Sequence, residues 1–292
     1  MSARMLFAMP GNAPFAAGLA AALGCETGKL DMRHFPDGES YLRFESDLRG
    51  RSVALVCTLD RPDPKIPPLL FAARTARELG AARVGLVAPY LAYMRQDKAF
   101  APGEAVTSRH MAELLSEHFD WLVTVDPHLH RTHALSEIYT VPAVAVHAAP
   151  LLSAWIKSNV AQPFLIGPDS ESAQWVSEVA RDAGAPFMTL DKTRHADRDV
   201  EIAAADFGAI GARTPVLVDD IISSGRTMLA ALKLLRGQAR PVCVGVHGIF
   251  ADGSDKLLAD AGAEIVTTNT IAHATNRIDV TSAIADAVNA FL

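Results

Sequence analysis

Short apolar runs recur along the chain and alternate with segments whose apolar residues follow helical spacing. Examples are SVALVCTL at 52–59, WLVTVDPH at 121–128 and PVCVGVHGIF at 241–250. Nearly continuous runs of this kind are typical of parallel strands covered on both faces, because neither face meets water. Strands alternating with helices therefore predict an α/β fold with mainly parallel sheets flanked by helices.

The order of the runs indicates that the sheet is built twice. RVGLVAPYLAYMRQDK at 83–98 and TPVLVDDIISSGRTM at 214–228 each end a strand in a polar loop, and WLVTVDPH and EIVTTNT then occupy similar later places. A chain of 292 residues is also long enough for two medium domains. With a break near YTVPAVAVHAAPLL, we predict domains at 1–145 and 146–292, and a last helix that can return to either half.

Charge and cysteine content narrow the classes of partner. The net charge of −6 argues against a nucleic-acid surface, although it is compatible with a local basic pocket for phosphates. Cys25, Cys57 and Cys243 lie far apart without CxxC spacing, so the sequence indicates neither a zinc site nor a disulfide framework. No apolar run approaches the roughly 18 residues of a membrane span. We therefore expect a cytoplasmic protein with small-molecule ligands, and neither nucleic acid nor membrane as a partner.

The segment VLVDDIISSGRTM at 216–228 joins a buried strand to a helix through two acids and a turn of small residues. Ligands of open α/β sheets bind at the carboxyl ends of strands, and backbone N–H groups in a turn before a helix attract anions. The carboxylates of Asp219 and Asp220 suit sugar hydroxyls, which can donate hydrogen bonds to them. This pattern predicts a ribose 5-phosphate site; the alternative is a solvated acidic turn that caps a helix. The residues assigned to the phosphate are Ser223, Ser224, Gly225, Arg226 and Thr227.

Two other loops carry residues suited to a nucleotide. RQDK combines a cation, an amide and an acid, which can read phosphate and adenine edges, although such a run is also an ordinary solvated helix start. FPDGE offers a ring that can stack on adenine and a carboxylate that can accept from its exocyclic amine, although PDG alone is simply a good turn. The candidate residues are Arg95, Gln96 and Asp97 in the first loop, and Phe35, Asp37 and Glu39 in the second.

Candidate metal ligands follow two further strands. VDPHLHRTH places His128, His130 and His133 just after a strand, where three histidines could bind a transition metal or form an exposed polar loop. A nucleotide site usually takes Mg²⁺ with oxygen ligands instead. Asp169, in GPD at another strand end, is a suitable oxygen ligand.

These motifs together resemble those of the ribose-phosphate pyrophosphokinases, also called phosphoribosyl pyrophosphate synthetases. FPDGESYLRF, APYLAYMRQDKAFAPGEAV, TVDPHLHRTHAL, LIGPDS, DKTRHADRDVEI and VLVDDIISSGRTM occur in the family's order and span the chain nearly end to end. The resemblance implies two tandem type I phosphoribosyltransferase-like domains. It also implies transfer of the β,γ-diphosphoryl group of ATP to the C1 hydroxyl of ribose 5-phosphate, giving phosphoribosyl pyrophosphate and AMP.

The resemblance also implies roles for the candidate residues. The RQDK residues bind ATP, and the FPDGE residues reach the ATP site of a neighbouring subunit, so a homo-oligomer (dimer or larger) is expected. His128 and Asp169 approach a catalytic Mg²⁺ on the ATP phosphates, and His128 counts among the catalytic residues. Lys192 and Arg194 are the paired catalytic cations of DKTRHADRDVEI, a charged segment with few apolar residues that is predicted to be a mobile loop.

Two departures from the family pattern bear on the phosphate subsites. Ser170, Glu171 and Ser172 stand where many relatives carry a Gly-rich turn, and Arg226 replaces a common glycine. Neither change removes a catalytic residue. The rival interpretations are a phosphoribosyltransferase acting on a base, against which RQDK and FPDGE argue, and a non-catalytic regulatory subunit of the synthetase, against which the retained catalytic residues argue.

Overall fold

The computed structural model describes residues 4–129, 132–169, 172–190, 192–196, 199–202, 207–235 and 237–292. In chain order, the strands are β1 (Arg4–Ala8), β2 (Glu26–Thr27), β3 (Leu30–His34), β4 (Ser40–Phe44), β5 (Ser52–Val56), β6 (Arg83–Ala88), β7 (Trp121–Val125), β8 (Ala143–Val146), β9 (Pro163–Gly167), β10 (Phe187–Thr189), β11 (Lys192–Ala196), β12 (Asp199–Ile202), β13 (Thr214–Ile222), β14 (Val242–Gly248), β15 (Glu264–Thr268) and β16 (Asn276–Ile278). The α-helices are α1 (Ala13–Leu23), α2 (Ile66–Glu78), α3 (Thr107–His118), α4 (Ala149–Asn159), α5 (Ala173–Ala183), α6 (Arg226–Leu234), α7 (Ser254–Asp260) and α8 (Thr281–Asn289). Short 3-10 helices lie at Leu135–Glu137, Phe207–Ile210 and Ala251–Gly253. None of the described helices is long and apolar enough to cross a membrane.

The chain divides into two compact units. The N-terminal unit runs to Val146 and includes Thr281–Leu292, and the C-terminal unit covers His147–Val280. Helix α8 packs on α1, β7 and β8, and the ring of Phe291 stacks on Trp121 with centroids 5.3 Å apart. The last helix therefore belongs to the N-terminal unit, although it follows the C-terminal unit in the sequence.

Each unit is built on a parallel sheet. The strand order is β2-β1-β5-β6-β7-β8 in the N-terminal unit and β10-β9-β13-β14-β15-β16 in the C-terminal unit. Strands β5 and β7 are buried along their whole length, as expected for strands covered on both faces. Gly85 in β6 makes room for the indole of Trp121, because a Cβ at this glycine would lie 1.9 Å from the ring. The predicted α/β class, with two parallel sheets flanked by helices, is confirmed.

The correspondence between the two sheets differs from the predicted one by one strand. TPVLVDDII forms β13, which occupies the third place in its sheet, so its counterpart is β5 and not the RVGLVA strand β6. The counterpart of β6 is β14, whereas β7 and β15 do correspond. The prediction matched strands by the chemistry of the loops that follow them, and sheet position does not depend on that chemistry.

An antiparallel hairpin leaves the main sheet at the same point in each unit. These hairpins are β3–β4 and β11–β12, and each follows the second strand of its unit. DKTRHADRDVEI, predicted to be a mobile loop, contains a paired two-stranded segment. Cross-strand hydrogen bonds satisfy the backbone of such a ribbon, and they need no run of apolar side chains.

Candidate active site

Asp219 and Asp220, the two acids of VLVDDIISSGRTM, lie on a part of β13 that pairs with a neighbouring strand on one side. Pairing of β13 with β9 ends at Leu217, whereas pairing with β14 continues to Ile222. The residues before the acids are buried, and Leu217 belongs to the core of the C-terminal unit. Asp219 and Asp220 follow directly, and both are half-buried. The carboxyl end of β13 thus presents two carboxylates at the edge of the sheet where ligands of α/β proteins bind.

The electrostatic environment of Asp219 opposes its ionised form. Burial raises the pKa of Asp219 well above its usual range, and the negative charges of Asp220 and Asp169 raise it further. The N–H of Asp220 donates to Oδ1 of Asp219 over 3.0 Å, which acts in the opposite direction. Asp169 follows β9, the neighbouring strand, so the three residues lie at the same end of the sheet. Hydroxyl donors or a cation would relieve this repulsion.

The turn between β13 and α6 is shaped to present N–H groups. Gly225 adopts a left-handed conformation with φ of 65°, and its carbonyl accepts from the N–H of Leu229 over 2.8 Å in the first turn of α6. Among the described residues, the N–H groups of Ser224 and Gly225 have no hydrogen-bond partner. Arg226 is exposed, and Thr227 is half-buried. Donors without a protein partner before a helix N-terminus form a suitable site for a phosphate.

Asp169 lies in a closed turn before α5. Its Oδ1 accepts from the N–H of Ser172 over 3.1 Å, and Oγ of Ser172 donates to the carbonyl of Asp169 over 2.7 Å. This turn fixes Asp169 beside the strand end. Ser170 and Glu171, which depart from the family pattern, lie outside the described residues.

In the N-terminal unit, two hydrogen bonds hold the loop that carries RQDK. Tyr93, which has a left-handed φ of 62°, donates its hydroxyl to the carboxylate of Asp63. This hydrogen bond raises the pKa of Tyr93 to about 12. Within RQDK, the carbonyl of Gln96 accepts from the N–H of buried Ser108 over 3.3 Å. No sequence pattern predicts the Tyr93–Asp63 contact, because the two residues follow different strands.

The candidate ATP residues of this loop differ in exposure. Arg95 is exposed, whereas Gln96 and Asp97 are half-buried. Asp97 lines an open cleft with residues of α3 and of the segment after β7, namely Arg109, Glu113, Thr132, Glu137 and Ile138.

His128 follows β7, the strand next to β6 in the N-terminal sheet. The parallel pairing of β6 and β7 brings His128 and the RQDK loop to the same edge of that sheet. His128 is half-buried, and the chain reaches it through Asp126, whose φ is 29°. His130 lies outside the described residues, and no group of three or more His, Cys, Asp or Glu side chains within the described ranges is placed to hold a metal ion.

The FPDGE residues form the exposed tip of the β3–β4 hairpin. The N–H of Phe35 donates to the carbonyl of Glu39 over 2.8 Å, and the N–H of Glu39 donates to Oδ1 of Asp37 over 3.1 Å. The side chain of Phe35 is 42% exposed and packs edge-on against Tyr41. The guanidinium of Arg33 lies over both rings. The tip is thus a well-formed turn that presents an aromatic ring and two acids to solvent.

Lys192 and Arg194 lie on one strand of the β11–β12 hairpin. Lys192 pairs with Ile202, and Arg194 pairs with Val200. Positions two apart on a strand share a face, so the ribbon places both residues on the same side. Their side chains lie outside the part of the chain that is described.

Ser254, which no sequence motif singles out, contacts the sugar-phosphate turn. It is fully buried at the start of α7, and its Oγ donates to the carbonyl of Ser223 over 2.6 Å. In the sequence, a serine between FADG and an amphipathic segment indicates a helix cap, so no sequence pattern predicts this contact.

Comparison with known proteins gives a consistent assignment. Residues 4–118 match the family model for the N-terminal domain of ribose phosphate pyrophosphokinase, and residues 134–283 match the phosphoribosyl transferase domain. The chain is 34% identical to a ribose-phosphate pyrophosphokinase of Halobacterium salinarum over 287 residues, which cover 97% of this chain and 100% of the relative. It is also 34% identical to that of Methanopyrus kandleri over 276 residues, which cover 92% and 93% of the two chains.

The fold is shared with a solved structure. The crystal structure of phosphoribosylpyrophosphate synthetase from Mycobacterium smegmatis superposes with a TM-score of 0.86 at 24% identity, and the match covers 99% of this chain and 98% of that one. This similarity confirms the fold with two phosphoribosyltransferase-like domains. Because family models match both halves and the relatives span nearly the whole length, the chain belongs to the ribose-phosphate pyrophosphokinase family.

Proposed function

We propose that the chain transfers the β,γ-diphosphoryl group of ATP to the C1 hydroxyl of ribose 5-phosphate. The C1 oxygen attacks the β-phosphorus, the bond between that phosphorus and the bridging α,β-oxygen breaks, and AMP leaves with this oxygen. The products are phosphoribosyl pyrophosphate and AMP. Beside the family membership, the observation that carries this proposal is the β13–α6 connection, where two carboxylates stand next to N–H groups without a partner among the described residues.

The C-terminal unit would bind the sugar phosphate. Asp219 and Asp220 would accept hydrogen bonds from ribose hydroxyls. These hydroxyls add no negative charge, and the hydrogen bonds that they donate would stabilise the ionised form of Asp219. The turn from Ser223 to Thr227 would take the phosphate through its N–H and hydroxyl groups, with the α6 N-terminus adding a favourable dipole. Arg226, at the first position of α6, would add a positive charge near this anion.

The N-terminal unit would contribute the nucleotide residues. Arg95, Gln96 and Asp97 would contact ATP at the carboxyl edge of the sheet. Phe35, Asp37 and Glu39 would contact the ATP of a neighbouring subunit, since the hairpin tip that carries them is exposed and well formed. The proposed active form is therefore a homo-oligomer.

Family membership implies a divalent metal requirement, and we propose Mg²⁺. The donor set fits, because Mg²⁺ is usually bound by one or two carboxylates together with substrate phosphates. Asp169 would hold it as a carboxylate ligand fixed by Ser172, and His128 is the second proposed contact. When bound, Mg²⁺ supplies charge neutralisation on the ATP phosphates.

Lys192 and Arg194 would stabilise the transferring group. Negative charge spreads over the equatorial phosphate oxygens in such transition states, and fixed cations stabilise it more than covalent catalysis does. Their spacing on β11 places both positions on one face of the ribbon, which is suited to contacting one diphosphoryl group together.

Product analysis tests the reaction. With ATP, ribose 5-phosphate and Mg²⁺, mass spectrometry should show AMP and phosphoribosyl pyrophosphate in equal amounts, and excess chelator should abolish both. ADP with a singly phosphorylated sugar product would contradict diphosphoryl transfer, and full activity in chelator would contradict the metal requirement. A phosphoribosyltransferase would instead consume phosphoribosyl pyrophosphate when given a base.

A further inference from the structure

We infer that Ser254 is a positioning residue for the ribose 5-phosphate site, because it fixes the peptide group that presents the N–H of Ser224. This inference rests on the proposed function, since it assumes that the turn after β13 binds the sugar phosphate. Ser254 belongs to a different strand–helix connection from that turn. It would act through the backbone and would not touch the substrate.

The orientation follows from one hydrogen bond and the planarity of the peptide. Oγ of Ser254 donates to the carbonyl of Ser223 over 2.6 Å, so this carbonyl points towards α7. In a planar trans peptide the N–H points opposite to the carbonyl, and the N–H in this peptide is that of Ser224. This N–H therefore points away from α7, and it has no partner among the described residues. If this peptide group were reversed, the carbonyl of Ser223 would take the place of the Ser224 N–H and would repel a phosphate.

Packing keeps the turn against α7. A Cβ at Gly225 would lie 3.2 Å from Cβ of Ser254 and 3.3 Å from a methyl carbon of Leu258, so the turn has little room to shift towards the helix. Ser254 and Leu258 are both fully buried, and Leu258 shares the core of this unit with Met228 of α6. The turn and α7 thus form one packed group.

A second contact lies at the start of α7. Oδ2 of Asp255 lies 3.6 Å from Nε2 of His273, whose Nδ1 is in turn 2.9 Å from Oγ1 of Thr275. The ring of His273 packs on Phe250 with centroids 4.5 Å apart. The start of α7, which carries Ser254, therefore also contacts groups outside the binding turn, as expected for a residue that organises a site before the ligand arrives.

The test is a KM-against-kcat comparison in the full-length chain. Ser254→Ala should raise the KM for ribose 5-phosphate by about 3- to 10-fold, the equivalent of one neutral hydrogen bond. The kcat and the KM for ATP should stay within about twofold, because the 5-phosphate is remote from C1 and binds ground state and transition state alike. Ser254→Cys keeps a weak donor, so it should give an intermediate KM, and it also serves if the alanine variant does not fold.

Ser153→Ala is the matched control. Ser153 is also buried, and its hydroxyl donates to the carbonyls of Ala149 and Val179 in the same unit, between α4 and α5. This variant should lose comparable thermal stability without any change in KM. If Ser254→Ala behaves like Ser153→Ala, or lowers kcat alone, the inference is overturned while the proposed function stands. If the wild-type chain forms no AMP, the proposed function fails, and calorimetry of ribose 5-phosphate binding to the same variants still decides the role of Ser254.

Discussion

The carboxyl group of Asp219 is half-buried beside two further carboxylates, those of Asp220 and Asp169. Burial and like charge both oppose its ionisation, so ionising Asp219 costs free energy in the folded chain without ligand. A ligand that supplies hydroxyl donors or positive charge removes this conflict. At this residue, stability and affinity therefore oppose each other, as is common in binding sites.

Asp219→Asn should stabilise the ligand-free chain and weaken ribose 5-phosphate binding. The amide has a similar shape and no charge, so the repulsion disappears together with the acceptor strength that the sugar needs. Each 1 kcal/mol gained should raise the Tm by about 2–4 °C for a unit of this size. Scanning calorimetry in chelator checks the stability, and Glu178→Gln, an exposed acid on α5, is the control that should leave Tm unchanged.

The stabilising effect of Asp219→Asn should depend on pH. Asp219 titrates at about 3.9 in the unfolded chain, and its pKa is raised in the folded chain. Between these two values the folded state binds more protons, so wild-type stability falls as pH rises through this window and is then constant. The asparagine variant lacks this loss, and its Tm advantage should grow from about pH 4 towards neutrality. An advantage that shrinks over this range would contradict a raised pKa at Asp219.

Asp220→Asn should weaken ribose 5-phosphate more than ATP. One charge-assisted hydrogen bond is lost, which corresponds to roughly 10- to 150-fold in affinity. Calorimetry should show this change for the sugar phosphate and a near-constant affinity for ATP. Unchanged sugar-phosphate binding would remove Asp220 from the proposed site.

At the scale of elements, the β11–β12 hairpin should act on the rate and not on binding. Lys192→Ala and Arg194→Ala should each lower kcat by on the order of 10³–10⁵-fold while substrate affinities stay nearly constant, because cations that meet the phosphates in the transition state act mainly there. The double variant should cost less than the product of the single effects, since residues that act as a unit are not additive.

Thr193→Ala is the matched control for this hairpin. Thr193 lies between the two cations on β11 and pairs with Glu201, so it belongs to the opposite face of the ribbon. It should keep kcat within about a factor of two, because its position belongs to the other face of the ribbon. A large loss of ATP affinity with kcat preserved in Lys192→Ala would show that this lysine binds the nucleotide instead of assisting the transfer.

Elements differed in how well the sequence predicted them. The central strands of the parallel sheets were predictable because burial on both faces requires continuous apolar runs, as in β5 and β7, whereas the edge strand β8 lies in the segment predicted to be the domain break. The hairpins β3–β4 and β11–β12 were not predictable from such runs, because two-stranded ribbons tolerate polar residues on both faces.

Within the candidate site, the residues of the motifs were predictable because their chemistry depends on neighbouring positions in the sequence. The contacts of Ser254 with Ser223 and of Tyr93 with Asp63 join separate connections, and only the tertiary fold brings them together.

At the scale of the whole molecule, the proposed ATP site is shared between subunits. The hairpin tip with Phe35 and Glu39 would complete the site of a neighbour whose own Lys192 acts there. A chain carrying both Phe35→Ala and Glu39→Ala should therefore be inactive as a homo-oligomer, and so should a Lys192→Ala chain. Sedimentation or light scattering should show both variants in the wild-type oligomeric state, since the altered residues are exposed or lie in a two-stranded ribbon.

Mixing the two inactive chains should restore activity. In a mixed pair, one site receives both defects, and the other receives an intact tip from one chain and an intact Lys192 from its partner. For random pairing across a two-fold interface, equal mixing should return about a quarter of the wild-type sites. Mixing two chains that both carry Lys192→Ala should restore nothing, which controls for subunit exchange itself. If mixed oligomers are demonstrated by mass and no AMP forms, the tip acts within its own chain and the shared site is wrong.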